Sequence, residues 1–322
     1  MYADEKAPSA LNLCLLLMLG LLWGMPYALT KVALATIPPI TLVAARVSLA
    51  AATLWIIVFI VGCKKPERRD FIPQLFVQGC FACLIPHTLI AFGQQSVDSA
   101  LAAILNSTTP LYVCLIGLGW NRHERLTAGQ WFGAMLGLAG VVMIVGAGAL
   151  AGIGRATLGQ SAIIFATFSS AVGVVYGRRL NGIAPELAAA GTLTSAAVVL
   201  VPLCLCVEAP FRTVPSWAAI GALVANAIGA TALGFVIYFH LIRSIGSLRT
   251  ASVGYLKPAI GVLIGCALMA EPLTWTIGMG LIATLIGVAA ILQTDTRGTL
   301  LGFLSRPKAD DVLEADAPAA RV

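Results

Sequence analysis

"SALAAILNSTTPLYVCL", residues 99–115, returns 148 residues later as "SLRTASVGYLKPAIGVL", residues 247–263. Ser99, Ala103, Pro110 and Leu115 coincide with Ser247, Ala251, Pro258 and Leu263. After a slip of one residue the correspondence runs on at an offset of 147. It then sets Glu124, Leu126, Thr127, Gly133, Leu138, Gly140, Val141 and Ile144 on Glu271, Leu273, Thr274, Gly280, Leu285, Gly287, Val288 and Ile291. The order of these matches exceeds what composition alone supplies, so the chain is read as two copies of one unit.

The surroundings say what the unit is made of. Of 322 residues, 59% are hydrophobic and only 11% charged, with a mean hydropathy of +0.93, far from the balance of a soluble domain. Apolar runs of about 20 residues, each long enough to cross a hydrocarbon layer of roughly 30 Å as a helix, recur along nearly the whole length. A barrel would show alternating segments of about 10 residues instead. Spans are expected near 11–35, 40–62, 71–94, 99–120 and 126–147, then near 157–179, 185–207, 216–241, 248–270 and 273–294. The first run, with Pro26 inside it and no small-residue cleavage site, reads as a retained span.

The fold class expected is an all-α integral membrane protein of ten transmembrane helices. Its domains are an N-terminal tail (1–10), a five-helix repeat (11–147), a connector (148–156), a second repeat (157–294) and a disordered tail (295–322). With the N-terminus inside, inner segments carry 15 Lys or Arg and the outer loops only Arg155 and Arg212. That asymmetry predicts two cytoplasmic termini. Five crossings per copy is an odd number, so equivalent elements face opposite sides, Glu124 inside and Glu271 outside. Inverted repeats of this kind are a construction of secondary transporters, with the ligand site near the midplane between the halves.

Other readings of the same features are weaker. The net charge of +6 sets orientation, and no basic patch interleaved with aromatics points to nucleic acid. Seven of the eight cysteines lie in or beside apolar spans, where they pack as small apolar residues, and Cys80 and Cys83 have no His or acid nearby to make a metal site. "GAGALAGIGRATLG", 146–159, follows a membrane span rather than a strand, so it is a connector and not a phosphate cradle. An integral membrane enzyme would cluster acids or histidines, whereas His87, His123 and His240 are scattered. No cofactor or metal is expected.

The chain resembles the ten-helix type of the drug/metabolite transporter superfamily, with two EamA domains, over about 11–294. The residues carrying the resemblance are "LLWGMPYALTKVAL" at 21–34, Arg46 in "LVAARVSLAAATLW", "DSALAAILNSTTPLY" at 98–112, "HERLTAGQWFGAMLGLAGVVMI" at 123–144, and the second copy at 238–292. The resemblance implies movement of small metabolites, often amino acids, by alternating access, in the plasma membrane of a bacterium. The chain departs from the common pattern at Lys257, where an uncharged residue usually precedes the proline. Gly129, Gly133 and Gly137, like Gly261 and Gly265, recur every fourth residue, as close helix packing requires.

All 14 acidic residues fall in tails, loops or helix ends, while Lys31, Arg46 and Lys257 lie within spans. Lys31 is roughly 6 Å from a helix end and can snorkel. Arg46, roughly 9 Å deep, either bonds backbone carbonyls or contacts substrate. Lys257, roughly 14 Å deep, is close to the midplane, where an ammonium costs about 2.5–3.5 kcal/mol on insertion scales. Pro258 removes an amide donor and frees a carbonyl around Gly254, a break tolerated where water or protein lines it. Pro110 holds the matching place in the first copy.

Lys257 is therefore a candidate for binding a carboxylate or phosphate, against the alternative of an amine held among carbonyls for packing. Asn106, Tyr112, His87, Asn226 and Tyr255 lie at similar depth and could equally make interhelical hydrogen bonds. Trp23 and Tyr27, one turn apart around Pro26, flank a pathway or simply pack. The expected function is secondary transport, in the direction of export, of a small anionic or zwitterionic metabolite such as an amino acid or organic acid. Its partners are that small molecule and the lipid bilayer, with monomer and homodimer both open. The alternative is a proton-coupled exporter of cationic drugs, which normally needs a membrane carboxylate; His87 or His240 could still carry protons.

Overall fold

Inside a bilayer every backbone N–H and C=O must find a partner within the protein, and apolar runs of this length do so as helices. The computed structural model describes residues 9–63, 71–97, 99–120, 127–146, 150, 153–208, 210, 214–260 and 274–292. Expectations for both tails, for the inner loops with most of their Lys and Arg, for Glu124 and Glu271, for Gly261 and Gly265, and for the Tyr27 side chain lie outside the described residues.

The helical body, Pro8–Leu292, runs in chain order as follows. First come α1 (Ala10–Leu34, interrupted at Met25), α2 (Pro39–Val61) and α3 (Phe71–Gly93). The short α4 (Ser99–Asn106) and α5 (Thr109–Trp120) lead to α6 (Ala128–Val145). The second half has α7 (Thr157–Leu180), α8 (Pro185–Val207), α9 (Trp217–Ile245), the short α10 (Ser247–Ala251), α11 (253–260) and α12 (Trp275–Leu292). Eight of these are long and apolar enough to cross a membrane, and the chain is all-helical among the described residues. The two expected spans outside these eight, 99–120 and 248–270, overlap the stretches quoted first above, and residues 261–270 lie outside the described residues.

Their interruptions have local causes. Pro110 has no N–H to give the Asn106 carbonyl, and Thr109 Oγ1 donates to it instead at 2.7 Å. The chain turns at Ser107 and Thr108. In the second half the expected break at Pro258 is displaced: residues 253–260 stay helical, and the interruption is at Ser252. The carbonyl orphaned by Pro258 belongs to Gly254, and Ser107 Oγ from the other half donates to it at 2.9 Å. That borrowed donor lets the helix run through the proline. Two further irregularities have no counterpart in the sequence reading. Cys80–Leu84 of α3 and Asn226–Leu233 of α9 are π-helical turns, each wound one residue looser than its flanks.

Packing between halves is reciprocal. α1 lies on α9 and α3 on α7, so the first helix of each half meets the third of the other; α2 pairs with α8, and α6 with α12. At the α6–α12 contact a Cβ on Gly133 would come 2.6 Å from the Gly287 carbonyl oxygen, and one on Gly280 would come 2.8 Å from that of Gly140. The sequence offset of 147 equates Gly133 with Gly280 and Gly140 with Gly287, so equivalent residues exchange partners. Gly137 makes room for the Tyr255 ring, with a Cβ position 2.7 Å from Cδ2. Gly129, counted with this stripe from spacing, lies in the first turn of α6 and among the described residues meets nothing nearer than Thr127 Oγ1 at 3.7 Å.

Helix ends are tied where the chain supplies caps. Thr127 and Gln130 form a reciprocal capping box at the start of α6, at 3.1 and 3.0 Å. Glu208, just past α8, sets both carboxylate oxygens on the N-terminus of α2. It accepts from Ile40 N at 3.0 Å, Thr41 N at 2.7 Å and Thr41 Oγ1 at 2.8 Å. Negative charge belongs at the positive end of a helix dipole, so one acid locks the α2–α8 pair. Phe59, Ile60, Phe132 and Trp275 are exposed on the outside, as a lipid-facing surface requires.

Candidate functional site

Because most of the long helices here are apolar nearly all round, their sequences do not say which face looks inward. Packing decides that, and it leaves a cavity of about 140 Å³ between the halves, walled by α1–α5, α7 and α9–α11. Trp23, Arg46, His87, Asn106, Asn226 and Lys257, from six different helices, all line it. Tyr112 and Tyr255 do not. The Tyr112 ring packs edge-on against Phe168 at 5.7 Å, and Tyr255, fully buried, donates its hydroxyl to the Ala134 carbonyl at 2.7 Å. Lys31 is exposed and lies outside the cavity, and His240 is not part of its wall.

Lys257 Nζ donates to Asn106 Oδ1 at 3.3 Å and stands 5.1 Å above the Trp23 ring. An ammonium has three donors. One amide oxygen and one ring face leave donors over for a ligand. The Trp23 ring is fixed in turn, since Nε1 donates to the Ala230 carbonyl at 2.9 Å and the ring packs on Phe235 and Tyr238. Arg46 is 8% exposed, and its Nε has no hydrogen-bond partner. A buried guanidinium N–H without an acceptor is costly, which makes it a standing demand for an anion or ordered water. His87 lies within electrostatic range of both Arg46 and Lys257, with Nδ1 3.2 Å from Cys83 Sγ and its ring edge-on to Phe235.

The π-helical turns belong to this wall. Ala82 lines the cavity from α3, and Asn226, Ala230 and Thr231 line it from α9. A carbonyl in each turn takes a donor from the first helix of the opposite half: Phe81 O from Ser169 Oγ at 3.0 Å, and Ala230 O from Trp23 at 2.9 Å.

Sequence reasoning missed Gln94, Thr30, Thr231 and Thr250 as wall residues. Gln94 Nε2 is another buried donor without a partner, and Asn226 leaves Oδ1 unpaired while Nδ2 donates to Thr30 Oγ1 at 3.3 Å. A hydroxyl in an apolar span was the only available signal. It is a poor one, since Thr231 and Thr250 bond carbonyls of their own helices, at 2.9 and 2.7 Å. No carboxylate is among the described wall residues, and no group of three or more His, Cys, Asp or Glu suited to a metal occurs among the described residues.

Known proteins give this architecture a context. The sequence model of the EamA-like transporter family matches twice, over residues 10–146 and 157–293. The "Uncharacterized inner membrane transporter YedA" of Escherichia coli (strain K12) is 26% identical over 258 residues, 80% of this chain and 82% of that one. An "Uncharacterized transporter" of Archaeoglobus fulgidus is 25% identical over 274 residues, 84% of this chain and 95% of that one. The "Probable amino-acid metabolite efflux pump" of Salmonella typhimurium (strain LT2) is 26% identical over 287 residues, 86% and 92% of the two chains. A crystal structure sharing 21% identity superposes with a TM-score of 0.73 over 88% of this chain and 98% of the other, a likeness of fold.

Proposed function

This chain belongs to the EamA-like transporter family, and we propose that it is a secondary transporter that exports a small anionic or zwitterionic metabolite by alternating access. In this reading it has ten spans as two inverted five-helix repeats and two cytoplasmic termini, and it sits in a bacterial plasma membrane. The reciprocal packing of α1 on α9 and α3 on α7, with Gly133 and Gly140 exchanging partners with Gly287 and Gly280, supports a two-fold relation between halves. Export and plasma membrane rest on the printed names of the Salmonella and Escherichia relatives.

The observation that carries the proposal is the pairing of Arg46 and Lys257 in a cavity whose described wall has no carboxylate. A cation there would meet like charge in a low-dielectric setting, and a proton-for-cation exchange would find no acid among the described wall residues. The cationic-drug alternative therefore fits poorly. An anion, by contrast, finds Lys257, Arg46 and the Gln94 amide.

The test is Lys257→Met in proteoliposomes, against a panel of amino and organic acids. A hydrogen bond to a charged group contributes about 1.5–3 kcal/mol, so the variant should need roughly ten- to hundredfold more of the transported anion. Equal affinities and rates for every anion moved would end the proposal and leave the fold untouched.

A further inference from the structure

Two classes of substrate survive above, anions and zwitterions, and the wall distinguishes them. A zwitterionic amino acid brings an ammonium as well as a carboxylate, and a buried ammonium wants a carboxylate, free carbonyls or an open aromatic face. None of the described wall residues is acidic. The Trp23 ring already faces Lys257 Nζ at 5.1 Å, and the Asn106 amide oxygen already accepts from it at 3.3 Å. Four carbonyls loosened by helix irregularity are taken too: Gly254 O by Ser107, Asn106 O by Thr109, Ala230 O by Trp23 and Phe81 O by Ser169. Among the described wall residues, the fully buried side-chain acceptor without a partner is neutral, Asn226 Oδ1, which suits a hydroxyl or keto-hydrate as well as an amine.

The unpaired donors are of the opposite kind. Arg46 Nε and Gln94 Nε2 are both more than nine-tenths buried without a partner, and Lys257 has donors to spare. Arg46 and Lys257 enter from separate helices, α2 and α11, and bring two positive charges to one cavity, of which a single carboxylate neutralises one. A cavity of about 140 Å³ is near the engineered apolar cavity of about 150 Å³ that admits benzene, and well below the 300 Å³ or so at which drug-sized pockets begin.

Resting on the transporter reading above, we infer that the substrate is a short dicarboxylate, of about the size of a four- or five-carbon diacid, with no ammonium group. Each carboxylate answers one of the two buried cations, and the cavity passes from doubly positive to neutral when filled. Amino acids with the same carbon chain are disfavoured because their ammonium adds a third positive charge and meets only the neutral Asn226 Oδ1.

Matched pairs test this on the full chain in proteoliposomes: succinate against L-aspartate, and glutarate against L-glutamate, identical except for the amino group. Each diacid should reach half-maximal uptake at a concentration at least tenfold lower than its amino acid. Succinate should likewise outcompete butyrate, which keeps one carboxylate, and in Lys257→Met that preference should shrink to less than about threefold. If Lys257→Met does not insert, the wild-type pairs stand alone. Aspartate, glutamate or L-alanine taken up as well as the diacids would overturn the inference and leave anion or zwitterion transport standing. No saturable uptake of either diacid would also overturn it. Uptake of a lipophilic cation with none of these acids would remove the anion-or-zwitterion reading beneath it as well.

Discussion

Ser107→Ala removes one hydroxyl, and its cost should depend on a residue in the other half of the chain. The Ser107 Oγ proton lies between two carbonyls, Ala103 O at 2.7 Å and Gly254 O at 2.9 Å. Ala103 O keeps the Ser107 backbone N–H at 3.0 Å after the substitution, so only Gly254 O loses its partner. Gly254 O has no helical donor in reserve, because the residue four places on is Pro258. A buried acceptor left unpaired costs about 1–3 kcal/mol in general. Interhelical hydrogen bonds in membrane proteins average about 0.6 and reach about 1.7 kcal/mol. The Ser107→Ala cost is therefore expected near 1 kcal/mol.

Pro258→Ala supplies the missing N–H, so in that background Ser107→Ala should cost close to nothing. The coupling between the two sites should then be about 1 kcal/mol, measured as a double-mutant cycle by reversible unfolding in mixed micelles. Equal costs in both backgrounds, within the roughly 0.3 kcal/mol by which independent sites add, would refute the reasoning.

Two further outcomes follow from the helix contacts. Gly140→Ala, whose Cβ would lie 2.6 Å from Thr284 N and 2.7 Å from the Gly280 oxygen, should lower stability by about 1–3 kcal/mol; Gly129→Ala, in open space, should leave thermal unfolding unchanged or slightly raised. Glu208→Gln keeps the shape but removes the charge from the α2 N-terminus. A loss of about 1–2 kcal/mol is expected by the same unfolding assay, larger than that for Thr41→Val, which removes one hydroxyl donor from the cap.

The sequence was most legible where it departed from apolar monotony. Pro110 and Pro258 marked the two segments that are not plain spans, and Lys257, Arg46, Asn106, Asn226 and His87 stood out as polar groups in apolar runs. Helix phase was not legible. Tyr255 and Tyr112 were as good candidates as Asn106 on depth alone, but one turns toward α6 and the other toward α7. A helix apolar on every side carries no stripe to orient it. The displacement of the break from Pro258 to Ser252 depended on a donor from residue 107, a contact no local pattern encodes. Gly129 shared the spacing of Gly133 and Gly137 but meets no part of α12 among the described residues.

The looser turns Cys80–Leu84 and Asn226–Leu233 occupy matching places in the two halves. Shifting the first by 147 or 148 residues lands it inside the second, although the two share almost no side chains. Each turn presents a carbonyl to the first helix of the opposite half, Phe81 O to Ser169 and Ala230 O to Trp23, so what the two places have in common is a slackened backbone and not a set of side chains.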